Sequence, residues 1–193
     1  GYISNNFIFH PVSFLISGVI KKHNREEFEI YGYSINTKKD QITEKISNNF
    51  DLYRDISLKS DDEAANIIRS DNLDFIIDLM GYSAGSRMGI LSQKVAPIQI
   101  SYLAYPSTTG SNQMDYLLAD NHVIPETEAN NFTEKVINIP GTFMCFDDTT
   151  KISDKVTKKH HNNFKQNSFI MVAFHRPQKL NLKTVLCWCD ILN

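Results

Sequence analysis

The chain has 193 residues, with 20 Lys and Arg against 22 Asp and Glu, hence a formal charge of −2; 41% of its residues are hydrophobic and 22% charged. That composition excludes a disordered chain and a collagen-like repeat, and the near-neutral balance excludes nucleic-acid binding by bulk charge. Three cysteines, Cys145, Cys187 and Cys189, are too few for a disulfide framework and point to a reducing, cytoplasmic setting.

In chain order, Gly1-Tyr2-Ile3-Ser4 reads as a strand already under way, without an initiator Met. Residues 11–20 are predicted helical, with Pro11 in the first turn and Phe14, Leu15 and Val19 as the apolar stripe. Residues 28–33 alternate as a strand, 41–48 form a helix and 52–56 a short strand. Ser60 to Glu63 is a capping box that starts a helix ending near Ser70. Residues 73–80 are the most apolar run and the expected central strand; 85–94 follow as helix, then strands at 97–103 and 116–119. The stretch 149–166 is polar and basic and is expected to be a linker, with His160 and His161 solvated beside two lysines. A fresh strand at 168–173 and a helix from Asn181 or Leu182 follow, and that helix is too apolar to stand without a partner. Both ends therefore read as cuts in a longer protein. The expected domains are 1–148, a linker at 149–166, and the start of a second unit at 167–193. No run approaches the ~18 apolar residues of a membrane span, and no signal peptide is visible.

This βαβα alternation implies an α/β fold, a Rossmann-like parallel sheet with helices on both faces. Ligands of such sheets sit beyond the carboxyl ends of the strands, which selects the loops 5–11, 81–87, 104–113 and 174–179.

One of these loops, Gly81-Tyr82-Ser83-Ala84-Gly85, fits the G-x-S-x-G elbow of a serine hydrolase. Asp115, Asp120 or Asp147 and His160, His161 or His175 would complete a triad in the right chain order. The alternative is a tight turn in which Gly81 and Gly85 supply unusual backbone angles and Ser83 caps a helix. Gly81, Gly85 and Gly89, spaced by four, would form a small-residue face if helical. Neither G-x-G-x-x-G nor a P-loop is present, and no Asp-x-Asp pair offers a metal site.

The loops together resemble a known family. Gly1-Tyr2-Ile3-Ser4-Asn5-Asn6-Phe7 with His10-Pro11 is similar to G-Y-V-S-x-D-F-x-x-H-P/S, the opening of the catalytic domain in O-linked N-acetylglucosamine transferases and their Spindly-type relatives. Phe28 to Ser34 resembles F-E-V-F-x-Y-S, and Asp78 to Arg87 resembles D-L-x-G-[HY]-T-x-G-x-R. Ala96-Pro97-Ile98-Gln99, Leu103 to Gly110 and Met114-Asp115-Tyr116 resemble A-P-[IV]-Q, L-G-Y-P-G-[TS]-[TS]-G and M-D-Y. Phe174 to Leu180 resembles F-N-x-x-x-K-[IL], which opens the second lobe. The matches run in order over nearly the whole chain.

The resemblance implies the N-terminal lobe of a GT-B glycosyltransferase with the start of its second lobe, preceded by tetratricopeptide repeats. It implies an inverting transfer, independent of metal or other cofactor, of GlcNAc from UDP-GlcNAc or a related nucleotide-sugar to protein Ser/Thr hydroxyls. A Spindly-type member would use GDP-fucose. The partners implied are the donor and a protein acceptor, with no nucleic acid and no membrane; the 193 residues alone would be inactive. A non-catalytic Rossmann-like remnant is the remaining alternative. By the same resemblance His10 is the catalytic histidine, suited to proton transfer or hydrogen bonding; the alternative is a histidine at a helix N-terminus bonded to backbone. Tyr82, Leu103, Ala104, Tyr105, Pro106, Thr108 and Thr109 bind sugar or acceptor, with the two threonines offering hydroxyls. Arg176 and Lys179 meet the diphosphate. Ala104, Ser107 and His175 depart from the family pattern, and a methyl at 104 is expected to crowd the sugar or shift the loop.

Overall fold

The structure, a computed structural model, describes residues 1–151, 154 and 170–192. It divides into two units, Gly1–Lys151 and Ile152–Asn193.

In the first unit seven strands form one sheet: β1 (Tyr2–Ser4), β2 (Tyr31–Ser34), β3 (Leu52–Asp55), β4 (Phe75–Asp78), β5 (Ile98–Ser101), β6 (Tyr116–Ala119) and β7 (Lys135–Asn138). Their order is β3-β2-β1-β4-β5-β6-β7, and every pairing is parallel. The chain thus builds outward from β1 to β3, returns to the other side of β1, and builds outward again from β4. Right-handed crossovers place the helices of these two halves on opposite faces. Helices α1 (Pro11–Lys22) and α2 (Gln41–Ser47) cover one face, and α3 (Asp61–Ser70) and the short α4 (Met88–Leu91) cover the other. Alternate residues of each strand feed the two cores: Tyr2 and Ile77 pack with α1, Ile3 and Ile76 with α3.

Local chemistry sets the helix starts. Pro11 occupies the first turn of α1, where its missing N–H costs nothing. Asp40 and Ser60 close capping boxes on α2 and α3. The buried stripe of α1 differs from the expected one. Val12, Ile16 and Ile20, four apart, are buried, Leu15 and Val19 flank them, and Phe14 is exposed. The predicted helix at 85–94 shrinks to Met88–Leu91, because Gly85 (φ +82°) and Lys94 (φ +51°) lie in the left-handed region on either side. Gly81 and Gly85 are consequently in a loop, and no small-residue helix face exists there. Strand β7 was not expected; it is a four-residue edge strand with exposed and half-buried residues alternating and no apolar run to announce it.

The crossovers from β5 to β6 and from β6 to β7 carry no α-helix, only the 3₁₀ turn Glu126–Asn131. In the second unit a 3₁₀ turn, Pro177–Lys179, precedes α5 (Leu182–Leu192), whose cap is Asn181 accepting from Thr184 N–H at 2.9 Å. Residues 170–173 form no strand; most of the expected linker and positions 168 and 169 lie outside the described residues. No described helix is long and apolar enough to cross a membrane.

Candidate functional site

The sheet order reverses between β1 and β4, and in sheets of this kind ligands bind beyond the carboxyl ends of the strands at such a switch point. Three loops meet there: 5–10 after β1, 79–87 after β4, and 102–113 after β5.

The first loop is held from several sides. Asn36 donates to Asn5 O at 2.7 Å, Ser13 Oγ donates to Asn6 O at 2.5 Å, and Asp40 accepts from Phe9 N–H at 2.6 Å. These ties deliver His10, which caps α1: its Nδ1 accepts from Val12 N–H at 3.2 Å. A ring nitrogen that accepts carries no proton, so the neutral imidazole has its proton on Nε2 and acts there as a donor.

The second loop hangs on Asp78. This carboxylate, 2% exposed, accepts from Met80 N–H at 3.0 Å and Gly81 N–H at 2.8 Å. Burial pushes its pKa up to about 6, against the opposing pull of those two N–H groups. Gly81 turns at φ +52°, and a β-carbon on it would lie 2.4 Å from Tyr105 Cβ. A β-carbon on Gly85 would lie 2.3 Å from Asn5 Nδ2, so the second loop touches both others. Tyr82, 55% exposed, meets Tyr105 edge to face with ring centroids 5.9 Å apart. Arg87 closes the loop by bonding Asp61 at 2.6 Å and the carbonyls of Ile56 and Lys59.

Ser83 fits neither expectation. Its hydroxyl lies 4.0 Å from Met80 Sδ, and α4 starts only at Met88 with no side-chain cap, so Ser83 caps nothing. A nucleophile elbow needs its serine on the turn that enters the helix, and that geometry is not built here.

The third loop begins with two tight turns. Ala104 N–H bonds Tyr102 O at 3.1 Å across Leu103, whose φ is +77°; this is a γ-turn of the rare positive-φ kind. Ser107 N–H bonds Tyr105 O at 2.9 Å across Pro106. The methyl of Ala104 does not force the loop: its φ is not positive, and its side chain packs on the core shared by Tyr2 and Leu79. Thr108 and Thr109 turn away from the switch point toward the edge of the sheet. Both hydroxyls donate to Glu134, just before β7, and Thr109 N–H donates to it at 2.7 Å. Sequence reasoning missed Glu134. Glu134, just before an unannounced strand, gave no signal of partners 25 and 26 residues upstream.

The structure thus gathers the His10 loop, Tyr82 and residues 103–106. Arg176 and Lys179 lie in the second unit, at the cap and the end of its 3₁₀ turn, with Lys179 N–H bonded to Arg176 O at 3.0 Å. Beside them His175 packs edge to face on Trp188 of α5.

Comparison with known proteins decides the family. The model of glycosyl transferase family 41 matches residues 1–190. The chain belongs to this family. It is 32% identical over its whole length to the probable UDP-N-acetylglucosamine–peptide N-acetylglucosaminyltransferase SEC of Arabidopsis thaliana, covering 20% of that protein. It is 32% identical over 89% of its length to the UDP-N-acetylglucosamine–peptide N-acetylglucosaminyltransferase of Caenorhabditis elegans, covering 15%. Among solved structures, an O-GlcNAc transferase mutant of Thermobaculum terrenum superposes with a TM-score of 0.72 at 30% identity, over 75% of this chain and 28% of that one. The chain therefore spans about a fifth of the curated relatives it matches. Nothing in these matches or in the geometry of the G-x-S-x-G loop supports the hydrolase reading.

Proposed function

We propose that these residues form the N-terminal catalytic lobe, and the opening of the second lobe, of a cytoplasmic protein O-GlcNAc transferase. The parent would move GlcNAc from UDP-GlcNAc to Ser/Thr hydroxyls of a protein acceptor, inverting the anomeric carbon and using no metal. Repeats of the tetratricopeptide kind would precede it and present the acceptor. The family match over residues 1–190 carries this reading, and the relatives' names supply donor and acceptor.

The reaction joins the acceptor oxygen to the anomeric carbon while the bond to the diphosphate breaks and its electron pair leaves with UDP. The acceptor must lose a proton, and charge must be offset on the leaving group. His10 serves as a hydrogen-bond donor through Nε2 to an oxygen of the bound substrates; while Nδ1 holds the helix cap, the acceptor's proton goes to another base. Tyr82, Leu103, Ala104, Tyr105 and Pro106 shape the sugar side of the crevice. Arg176 and Lys179 supply cations for the diphosphate.

Cap and chemistry separate by substitution in the natural chain that carries these residues. His10→Ala removes both functions, whereas His10→Asn keeps a good cap and removes Nε2–H. Transfer from UDP-GlcNAc to a Ser/Thr peptide is expected to fall about 10²-fold or more in both variants. A His10→Asn variant with the wild-type rate would reduce His10 to a helix cap.

A further inference from the structure

Glu134 has a small residue's exposure, 2%, and a large residue's charge. A carboxylate removed from water needs compensation, and a cation is the common source. Here the hydrogen-bond donors among the described residues are neutral, and most come from three threonines. Thr109 gives its N–H and its hydroxyl to Oε1; Thr108 and Thr133 direct their hydroxyls to Oε2, at 2.8 and 3.1 Å. Burial pushes the Glu134 pKa up, but the bonds from Thr109 and Thr108 together outweigh it and hold the carboxyl below its usual range. The group is therefore an anion at neutral pH.

The network has a direction. Thr108 Oγ1 already accepts from Gly110 N–H at 3.1 Å and Thr133 N–H at 3.2 Å, so its proton must go outward to an acceptor, and Glu134 provides it. A neutral amide at 134 would turn an N–H₂ toward an oxygen whose lone pairs are spent. Glu134 in turn is fixed by the sheet, since Lys135 N–H bonds Asp115 O at 2.9 Å and β7 pairs with β6 along its length.

The clamp lies at one end of a loop whose other end is strained. Leu103, buried in the core with Leu79 and Tyr2, holds φ +77° at the switch point, and a side chain there costs conformational energy that its surroundings must maintain. Between the two fixed ends run Ala104 to Ser107, and Tyr105 among them packs on Gly81 and Tyr82. We propose that Glu134 is a positioning residue for donor binding: it ties the far end of loop 103–110 to the sheet, so that the strained near end keeps the shape that receives the sugar. The role rests on the transferase reading above.

Two readouts on the natural chain test it. In Glu134→Gln the Thr109 and Gly110 amides are expected to exchange with solvent at least tenfold faster, while amides of β1 and β4 keep wild-type protection. The KM for UDP-GlcNAc is expected to rise about tenfold with the peptide KM unchanged. Thr109→Val, which keeps volume and removes one donor, is expected to do the same to a smaller extent, about threefold. Unchanged donor KM with accelerated exchange would overturn the positioning role, and so would unchanged exchange. A fall in kcat with both KM values unchanged and a lower melting temperature would make Glu134 merely structural. A wild-type chain that transfers nothing would instead overturn the transferase reading itself.

Discussion

The loops after β4 and β5 are neighbours that touch through Gly81 and Tyr105, yet they are held by opposite means. The first is bent by glycines at φ +52° and +82° and hangs on Asp78, which receives two backbone N–H groups. The second is bent at Leu103 and clamped by Glu134, which receives one N–H and three hydroxyls. Both carboxylates are about 2% exposed, yet burial wins at Asp78 and raises its pKa, whereas hydrogen bonding wins at Glu134 and lowers it. Asp78 lies deeper in the protein and receives fewer donors than Glu134, and both differences push the two pKa values apart. A loop hung on a group that resists its charge loses that support as pH rises; one clamped by a well-hydrogen-bonded anion loses it as pH falls.

The sharpest way to break this comparison is to remove the glycine at the contact. In Gly81→Ala the new carbon would lie 2.4 Å from Tyr105 Cβ and 2.5 Å from its ring, and φ +52° would be strained as well. Steric overlap against a backbone-anchored carbon adds about 1–3 kcal/mol to about 1–2 kcal/mol of left-handed strain. Denaturation of the parent chain is expected to show a loss of about 3 kcal/mol or more. Gly110→Ala is the control: φ is +64° with nothing within 4 Å, so only the strain should appear. Equal losses in the two variants would mean that the loops do not bear on each other at Gly81.

Much of this architecture was legible beforehand, and the part that was not has a common cause. Alternation, Pro11 and the Ser60 capping box placed α1, α2, α3 and β1 to β6 within a few residues, because those signals are local. β7 was missed because an edge strand of four residues needs no apolar run. The polar motif residues were visible as a pattern but their work was not. Gln99, fully buried, closes on Leu91 O and Gln113 O, and Arg87 on the carbonyls of Ile56 and Lys59. Each binds backbone from a distant segment, and a backbone carbonyl leaves no mark in a sequence. The threonines at 108 and 109 were read as open hydroxyls for the same reason: their acceptor belongs to a segment that had no assigned structure.

A second test turns on Asp78. Its folded pKa of about 6 exceeds the ordinary 3.8, so the folded chain binds the proton more tightly than the unfolded one. Protonated Asp78 therefore favours the fold, and this contribution is present below pH 4 and lost as pH rises through 6. The difference of about two pKa units corresponds to about 3 kcal/mol. Other carboxylates, Glu134 among them, have lowered pKa values and contribute in the opposite sense. The informative quantity is thus the stability of wild type minus that of Asp78→Asn, which should fall by about 2.5 kcal/mol between pH 4 and pH 7. A pH-independent difference would show that Asp78 carries its charge freely, and the contrast with Glu134 would collapse.

The smallest expected effect is an inversion of order at Leu103. At ordinary positions glycine is less favourable than alanine by about 0.5–1 kcal/mol, because it loses more backbone freedom on folding. At φ +77° the alanine β-carbon is strained and glycine is not. Leu103→Ala and Leu103→Gly both empty the same buried site, 5% exposed in the wild type, and so share the cavity cost. Their difference isolates the backbone, and Leu103→Gly is expected to be the more stable of the two by about 1 kcal/mol. If alanine proves better, the strain at the near end of the loop is absent, and Glu134 has nothing to hold in place.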